Sequence, residues 1–167
     1  MALDQFQLQR AAQRQPLRKS QPYTGRQYTA FLCHSHLDKE LAEGLQVVLS
    51  EQGVDLYIDW KDASMPDTPD RETAQRIQNR VRDCNWFLFL ATANSRASRW
   101  CPWELGYADG KKQWDQIAIV PTVDGRGTHG NEYLQLYRRI DATSLGELVW
   151  LAPGVSRGPR VRDIPFV

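Results

Sequence analysis

The chain has 167 residues, of which 25% are charged and 41% are hydrophobic, so its size predicts one domain with a full core. Its three cysteines are too few for a disulfide framework and favour a reducing compartment. The longest apolar run, Trp86–Ala91, has six residues, whereas a membrane span needs about 20. These features exclude collagen-like, coiled-coil, membrane-spanning and disulfide-rich classes, and we expect a cytoplasmic protein.

The net charge of +1 is unevenly distributed along the chain. Residues 1–27 carry a net charge of +4, and the other 140 residues carry −3. An acidic body argues against a nucleic-acid binder, which needs a basic face. Residues 1–26 are predicted to be a flexible or partly helical basic leader, with a targeting peptide as the alternative. Residues 27–152 are then the folded domain, and residues 153–167 form an irregular tail.

A strand and a helix open the regular part of the chain. Residues 28–33 are rich in β-formers and predict a short buried strand. Ser35 and Asp38 resemble a helix-capping box, and apolar residues at helical spacing follow from Leu37 onward. Gly53 stands where a helix-ending glycine of left-handed conformation belongs.

The middle of the chain continues to alternate between strands and helices. Residues 54–59 alternate apolar and polar side chains and predict a second strand. Residues 60–70 predict a polar loop, and residues 71–83 a polar helix with one apolar side. The apolar run Trp86–Ala91 is too short for a helix and predicts a central strand covered on both faces. A loop is predicted over residues 93–99.

The pattern weakens in the last third of the chain. A helix over residues 100–112 and a strand over residues 117–123 are predicted first. Residues 125–130 predict a flexible turn, residues 131–143 a weaker helix-and-strand pair, and residues 144–151 a last helix.

Strands that alternate with helices of about 10–15 residues predict an α/β fold with a central parallel sheet of about five strands. Ligands of such sheets bind beyond the carboxyl ends of the strands. This rule selects four segments, which are residues 34–38, 59–70, 92–104 and 123–130.

The segment after the first strand reads Cys33-His34-Ser35-His36. A zinc site is disfavoured because four spaced ligands are needed and no second cluster of cysteine and histidine exists. A Cys–His nucleophile pair is disfavoured because neighbouring strand residues point to opposite faces. A polar loop or an anion contact at the helix start is the better interpretation.

Two further segments carry aromatic and acidic residues together. Asp59-Trp60-Lys61 is equally consistent with a solvated loop and with a mobile loop that closes over a ligand. One helical turn separates Trp100 from Glu104, which is either a carboxylate of perturbed ionisation or a solvated residue on an amphipathic helix. No G-x-x-x-x-G-K-[ST], G-x-G-x-x-G or G-x-S-x-G motif is present, which disfavours P-loop, dinucleotide-dehydrogenase and serine-hydrolase chemistry.

Three of these segments together resemble bacterial Toll/interleukin-1 receptor (TIR) domains. Residues 29–39, TAFLCHSHLDK, are similar to the opening strand and helix start of that family. Residues 57–60, YIDW, resemble the end of its second strand, and Trp100-x-x-x-Glu104 resembles the signature of its enzymatically active branch. The order and spacing of the three motifs also match, over about residues 27–151. Two positions depart from the family pattern: Cys33 replaces a serine and Leu37 replaces an acid.

The resemblance implies a flavodoxin-like fold and cleavage of the bond between nicotinamide and ribose in NAD, with NAD as substrate and no cofactor or metal. It implies that Glu104 is the catalytic residue, because a carboxylate stabilises the ribosyl cation. The substrate-binding residues that it implies are Phe31, His34, Ser35, His36, Asp38, Asp59, Trp60 and Trp100.

Standalone proteins of this kind resemble the signalling component of Thoeris-type anti-phage defence, in which a linear or cyclic ADP-ribose product acts on a separate effector. The resemblance also implies self-association through TIR–TIR contacts, with no nucleic-acid or membrane partner. Two alternatives stay open at this point. One is a non-enzymatic scaffold that recruits other TIR domains, and the other is an NAD-depleting toxin or virulence factor.

Overall fold

A mostly parallel β-sheet with helices on both faces organises the protein. The computed structural model describes residues 1–14, 30–61, 70–133 and 135–164. In chain order the strands and helices are β1 (Leu3–Asp4), α1 (Gln5–Arg14), β2 (Ala30–Cys33), α2 (Lys39–Ser50), β3 (Leu56–Tyr57), α3 (Arg71–Asp83), β4 (Trp86–Ala91), α4 (Ala93–Ala97), α5 (Trp100–Asp109), β5 (Ile117–Asp124), β6 (Gly127–His129), β7 (Arg138–Ala142) and β8 (Leu148–Leu151). Within the described ranges, no helix has the length and apolar character needed to cross a membrane.

The strand order is β3-β2-β4-β5-β7-β8, and every neighbouring pair from β3 to β7 is parallel. Strand β4 lies between β2 and β5, and five of its six residues are buried. Its apolar run is therefore a central strand, as predicted from its length and composition. The predicted α/β architecture with helices around a parallel sheet is confirmed.

Side chains of β2 alternate between two hydrophobic clusters, one on each face of the sheet. Leu32 joins Leu41, Leu45 and other residues of the cluster beneath α1 and α2. Phe31 joins the cluster beneath α3 and α5, where it stacks on Phe87 with ring centroids 5.7 Å apart. Full burial of each such side chain contributes about 1.5–3 kcal/mol, so both faces support the sheet.

The helices that follow β2 and β4 cover opposite faces of the sheet although the two strands are neighbours. Helix α2 packs on the face that contains Leu45, and α5 packs on the face that contains Leu105. In open α/β sheets this reversal creates a crevice at the carboxyl ends of the two strands. The fold thus places the loops after β2 and β4 side by side at a ligand-binding edge.

Residues 1–14 of the predicted flexible or partly helical leader contain a helix and pack on the folded domain, which corrects the predicted domain boundary at residue 27. Strand β1 pairs in parallel with the end of β5, and Gln5 donates a hydrogen bond to Thr122 at 2.8 Å. Helix α1 packs against α2 and buries Leu8 and Ala11. The flexible interpretation is therefore wrong for residues 1–14, and residues 15–26 lie outside the described ranges.

The C-terminal third also differs from the prediction. The predicted last helix over residues 144–151 is wrong: a turn with Gly146 at a φ of 80° leads into β8, which pairs antiparallel with β7. The predicted turn over residues 125–130 contains β6, and the predicted loop over residues 93–99 contains α4. The tail after β8 is largely irregular as expected, yet its Val161 is buried in the core.

Candidate active site

Three loops meet at the carboxyl edge of the sheet. Residues 34–38 follow β2, a short 3-10 turn (Asp59–Lys61) follows β3, and Thr92 begins the segment that leads from β4 to α5. Most of the predicted polar loop after β3 lies outside the described residues.

A buried carboxylate joins two of these loops. Asp38 is only 4% exposed, and its two oxygens accept hydrogen bonds of 2.6 Å from the Thr92 hydroxyl and the Asn94 amide. These two hydrogen bonds, which we call the Asp38 brace, connect the loop after β2 to the segment after β4. Asp38, assigned to substrate binding from the resemblance, thus has both oxygens engaged by protein donors.

Replacing Asp38 by alanine is expected to lower the free energy of unfolding by about 1–3 kcal/mol, because the Thr92 hydroxyl and the Asn94 amide lose their acceptor. Urea denaturation would measure the loss. Asp115→Ala, at an exposed position of a 3-10 turn, is the control and should change stability by less than about 0.5 kcal/mol. Equal stability of the two variants would show that the brace contributes nothing.

Glu104 lies in the second turn of α5 and is only 5% exposed. Burial raises its pKa well above the ordinary range, and the negative charge of Asp59 adds to that rise. A hydrogen bond with the Cys33 side chain acts in the opposite direction. The interpretation of Glu104 as a solvated helix residue is therefore wrong. Of the two predicted alternatives, the structure supports the carboxyl group with perturbed ionisation.

The Cys33 thiol shares this buried environment. Its Sγ atom lies 3.7 Å from the carbonyl oxygen of Cys101, and burial raises its pKa well above that of an ordinary thiol. Cys84, in the core beneath α3, has its pKa raised to about 12 by burial. Both side chains are therefore protonated at neutral pH, which makes them poor nucleophiles.

Three aromatic rings contact one another along α5, the helix that contains Glu104. Trp100 meets Trp103 edge to face at 5.3 Å, and Trp103 stacks on Tyr107 at 6.2 Å. Trp103 and Tyr107, four residues apart, therefore share one face of α5. Trp100 also packs on the cluster beneath α3 and α5.

The turn after β3 contributes the second acid and another ring. Asp59 accepts a hydrogen bond from the backbone amide of Trp60 at 2.8 Å, and 30% of its side chain is exposed. The ammonium groups of Lys39 and Lys61 each lie 5.2 Å from the centre of the Trp60 ring. These contacts place a partly exposed carboxylate and two cations beside one aromatic ring.

The loop after β2 contributes His34. Its Nδ1 atom lies 3.2 Å from the carbonyl oxygen of Leu32, and its Nε2 atom lies 3.9 Å from a carboxylate oxygen of Asp59. The side chain is only 3% exposed. The structure therefore brings together His34, Asp59 and Glu104, three of the residues named from the sequence.

Other predicted site residues have structural partners. Phe31 is 1% exposed and stacks on Tyr57 and Phe87, so its position is in the core and does not support an assignment to substrate binding. Ser35 is buried and caps the turn by accepting a hydrogen bond from the Leu37 amide. His36 lies in the same loop, and its side chain is exposed.

Sequence reasoning missed two features of this edge. Leu37, predicted to belong to the apolar stripe of the helix, is 68% exposed because that helix begins only after the 3-10 turn. The second feature is the pair of hydrogen-bond donors to Asp38. The strand-end rule selects residues 92–104 without singling out Thr92 and Asn94. Their position directly after a central strand is the signal that could have identified them.

Comparisons with known proteins are consistent with this geometry. A family model described as a TIR domain matches residues 30–148. The chain is 33% identical over 145 residues to a Bacillus cereus (strain MSX-D12) protein named "Probable 3' cyclic ADP-D-ribose synthase ThsB'". The alignment covers 81% of this chain and 74% of that relative. Together with the fold, these matches establish that the chain belongs to the TIR-domain family.

Proposed function

We propose that the protein cleaves the nicotinamide–ribose bond of NAD and joins the freed ribose to another part of the same molecule, giving a cyclic ADP-ribose. The observation that carries this proposal is Glu104, a buried carboxylate with a raised pKa at the carboxyl edge of the sheet. The relative named as a probable cyclic ADP-ribose synthase supports the choice of substrate and product.

The chemistry of NAD explains why such a carboxylate is useful. Nicotinamide leaves with the electron pair of the bond to ribose, and positive charge develops at the ribose carbon. A carboxylate held in a low-dielectric environment stabilises that charge more strongly than a solvated one. Glu104 would also accept hydrogen bonds from ribose hydroxyl groups, as carboxylates do in glycoside hydrolysis. Trp100 would shield the cation from water on one side.

The remaining residues of the edge have complementary roles in the proposal. Trp60 offers a ring face, and Lys39 and Lys61 place positive charge beside it. The exposed Lys39 suits the diphosphate of NAD, and Asp59 suits a ribose hydroxyl. The Lys61 ammonium already donates to Gln46 and pairs with Glu43, so it supports the turn. Ser35 and Asp38 hold the loops in place, and His36 lies at the entrance.

The cyclic product suits a messenger. We therefore place the protein as the signal-producing component of Thoeris-type anti-phage defence, with a separate effector that senses the product. Self-association of TIR domains is part of this proposal, because an active site in this family is often completed between neighbouring subunits.

The proposal is tested by incubating the purified protein with NAD and measuring nicotinamide release and products by chromatography. Glu104→Gln is expected to reduce the release at least about 10³-fold, since a preorganised charge is lost from the transition state. Glu51→Gln, an exposed glutamate after α2, is the control and should keep the wild-type rate.

The outcomes separate the alternatives. The assay is run from dilute to highly concentrated protein, so that assembly-dependent activity is not missed. No release at any concentration would favour the non-enzymatic scaffold. Release with only linear ADP-ribose as product would favour NAD depletion by a toxin or virulence factor.

A further inference from the structure

We infer that His34 Nε2 is the proton acceptor for the substrate hydroxyl that closes the ring, and that it thereby directs the reaction toward a cyclic product. The inference rests on the proposed function. It concerns the second half of the reaction, after the bond to nicotinamide has broken, and assigns that half to a residue other than Glu104.

The hydrogen bond of the other ring nitrogen sets the tautomer of His34. Nδ1 lies 3.2 Å from the backbone carbonyl oxygen of Leu32. A carbonyl oxygen can only accept a hydrogen bond, so Nδ1 must carry the hydrogen. In the neutral ring the lone pair is then on Nε2, which makes this atom a base.

Nε2 is buried and has no hydrogen-bond partner within the part of the chain that the structure describes. The nearest carboxylate oxygen, on Asp59, is 3.9 Å away, which exceeds hydrogen-bond distance. That oxygen already accepts the Trp60 amide. A buried polar atom without a partner is rare in folded proteins and needs an explanation. A hydroxyl group that donates to Nε2 in the bound complex supplies one.

Asp59 is the acid that lies beside the His34 ring. Its side chain is 30% exposed, whereas that of His34 is 3% exposed, so the acid is the more solvent-accessible member of the pair. An imidazolium formed at His34 would face this carboxylate and be stabilised by it. Asp59 also acts on Glu104 through its charge, which places the three groups in one electrostatic environment.

A ribose hydroxyl oxygen of the same NAD molecule forms a bond to the ribose carbon that carried nicotinamide. The carbon–nitrogen bond breaks, and its electron pair neutralises the nicotinamide ring. The hydroxyl proton passes to His34 Nε2 and then to water, so the products are cyclic ADP-ribose, nicotinamide and one proton. The name of the relative, a 3' cyclic form, is consistent with a hydroxyl as nucleophile.

The test separates cleavage from ring closure with two variants. In His34→Asn the amide nitrogen can replace the Nδ1 hydrogen bond to Leu32, but nothing basic occupies the position of Nε2. His34→Gln places a non-basic amide near that position. In both, the ratio of cyclic to linear product should fall at least about tenfold, and by a larger factor than any accompanying fall in nicotinamide release. Glu51→Gln, at an exposed position after α2, is the control and should keep the wild-type ratio.

An unchanged ratio in a folded His34 variant would overturn the inference, and so would equal losses of release and cyclic product. If neither variant folds, ¹⁵N-histidine spectra of the wild-type protein decide, since the chain has only three histidines. A neutral His34 with hydrogen on Nδ1 supports the inference, and hydrogen on Nε2 overturns it. Wild-type protein that releases no nicotinamide would overturn the proposed function and this step with it. If the variants still form the cyclic product at the wild-type ratio, the role of His34 is overturned and the proposed function stands.

Discussion

Gly44→Ala is expected to destabilise the protein by about 2 kcal/mol or more, although the same change usually stabilises a helix. Gly44 lies in the interior of α2, and a β-carbon there would overlap the backbone carbonyl of Leu8. The obstructing atoms are backbone, so α1 must move away as a unit. Burial of Leu8 and Ala11 would be reduced, which explains the size of the loss.

A second glycine provides a matched control for this prediction. Gly106 lies in the interior of α5, and a β-carbon at that position would meet nothing within 4 Å. Gly106→Ala should therefore raise the free energy of unfolding by about 0.5–1 kcal/mol through its lower backbone entropy in the unfolded state. Urea denaturation of both variants measures whether the free energy of unfolding falls for Gly44→Ala and rises for Gly106→Ala. If Gly44→Ala were as stable as wild type, the close packing of α1 on α2 would be wrong.

The contact at Gly44 also explains why the packing of the N-terminal helix on the domain escaped prediction. Its sequence is Gln-rich and offers only Leu8 and Ala11 for burial, which is too little periodicity to indicate a packed helix. Its partner surface is provided by a glycine more than 30 residues away. Nothing local in the sequence shows that a backbone can approach α2 so closely.

The elements that were predicted correctly have strong local signals. The apolar run of β4 and the spacing around Leu41 and Leu45 require a strand and a helix whatever their neighbours are. The short run of β8, Leu148–Leu151, has no such signal, because four apolar residues fit the end of a helix or a strand equally well. Antiparallel pairing with β7 decides its conformation.

In the candidate site, too, some features have a local sequence signal and others depend on tertiary contacts. Glu104 could be predicted because the strand-end rule and the Trp-x-x-x-Glu spacing both select it. Burial of Asp38 against Thr92 could not, since the two residues are 54 positions apart and pair only when β2 and β4 become neighbours. The unpartnered nitrogen of His34 is likewise a property of the folded arrangement, because its two ring atoms have different surroundings there.

Glu104→Gln is expected to make the protein more stable at the same time as it removes the proposed activity. The amide has the shape of the carboxylate but no charge, so it avoids both the desolvation of Glu104 and its repulsion by Asp59. At pH 8 the free energy of unfolding should rise by about 0.5–2 kcal/mol, the range common for single stabilising substitutions.

The dependence on pH distinguishes this cause from a general packing effect. The pKa of Glu104 is higher in the folded than in the unfolded state, so the folded protein binds the extra proton. Below about pH 4.3, the ordinary pKa of glutamate, both states are protonated and the carboxyl group costs nothing. As pH rises above that value, wild-type stability falls until the raised pKa is passed. The advantage of Glu104→Gln should therefore be small at pH 4 and grow toward pH 8.

Urea denaturation of wild type, Glu104→Gln and the exposed control Glu51→Gln at several pH values measures this difference. A Glu104→Gln variant that is less stable than wild type at pH 8, or an advantage that does not change with pH, would contradict the assigned cause. The expected result has a functional meaning. Burial disfavours the ionised form of Glu104, which is the form that would stabilise a ribosyl cation, and the folded state carries that cost until NAD binds.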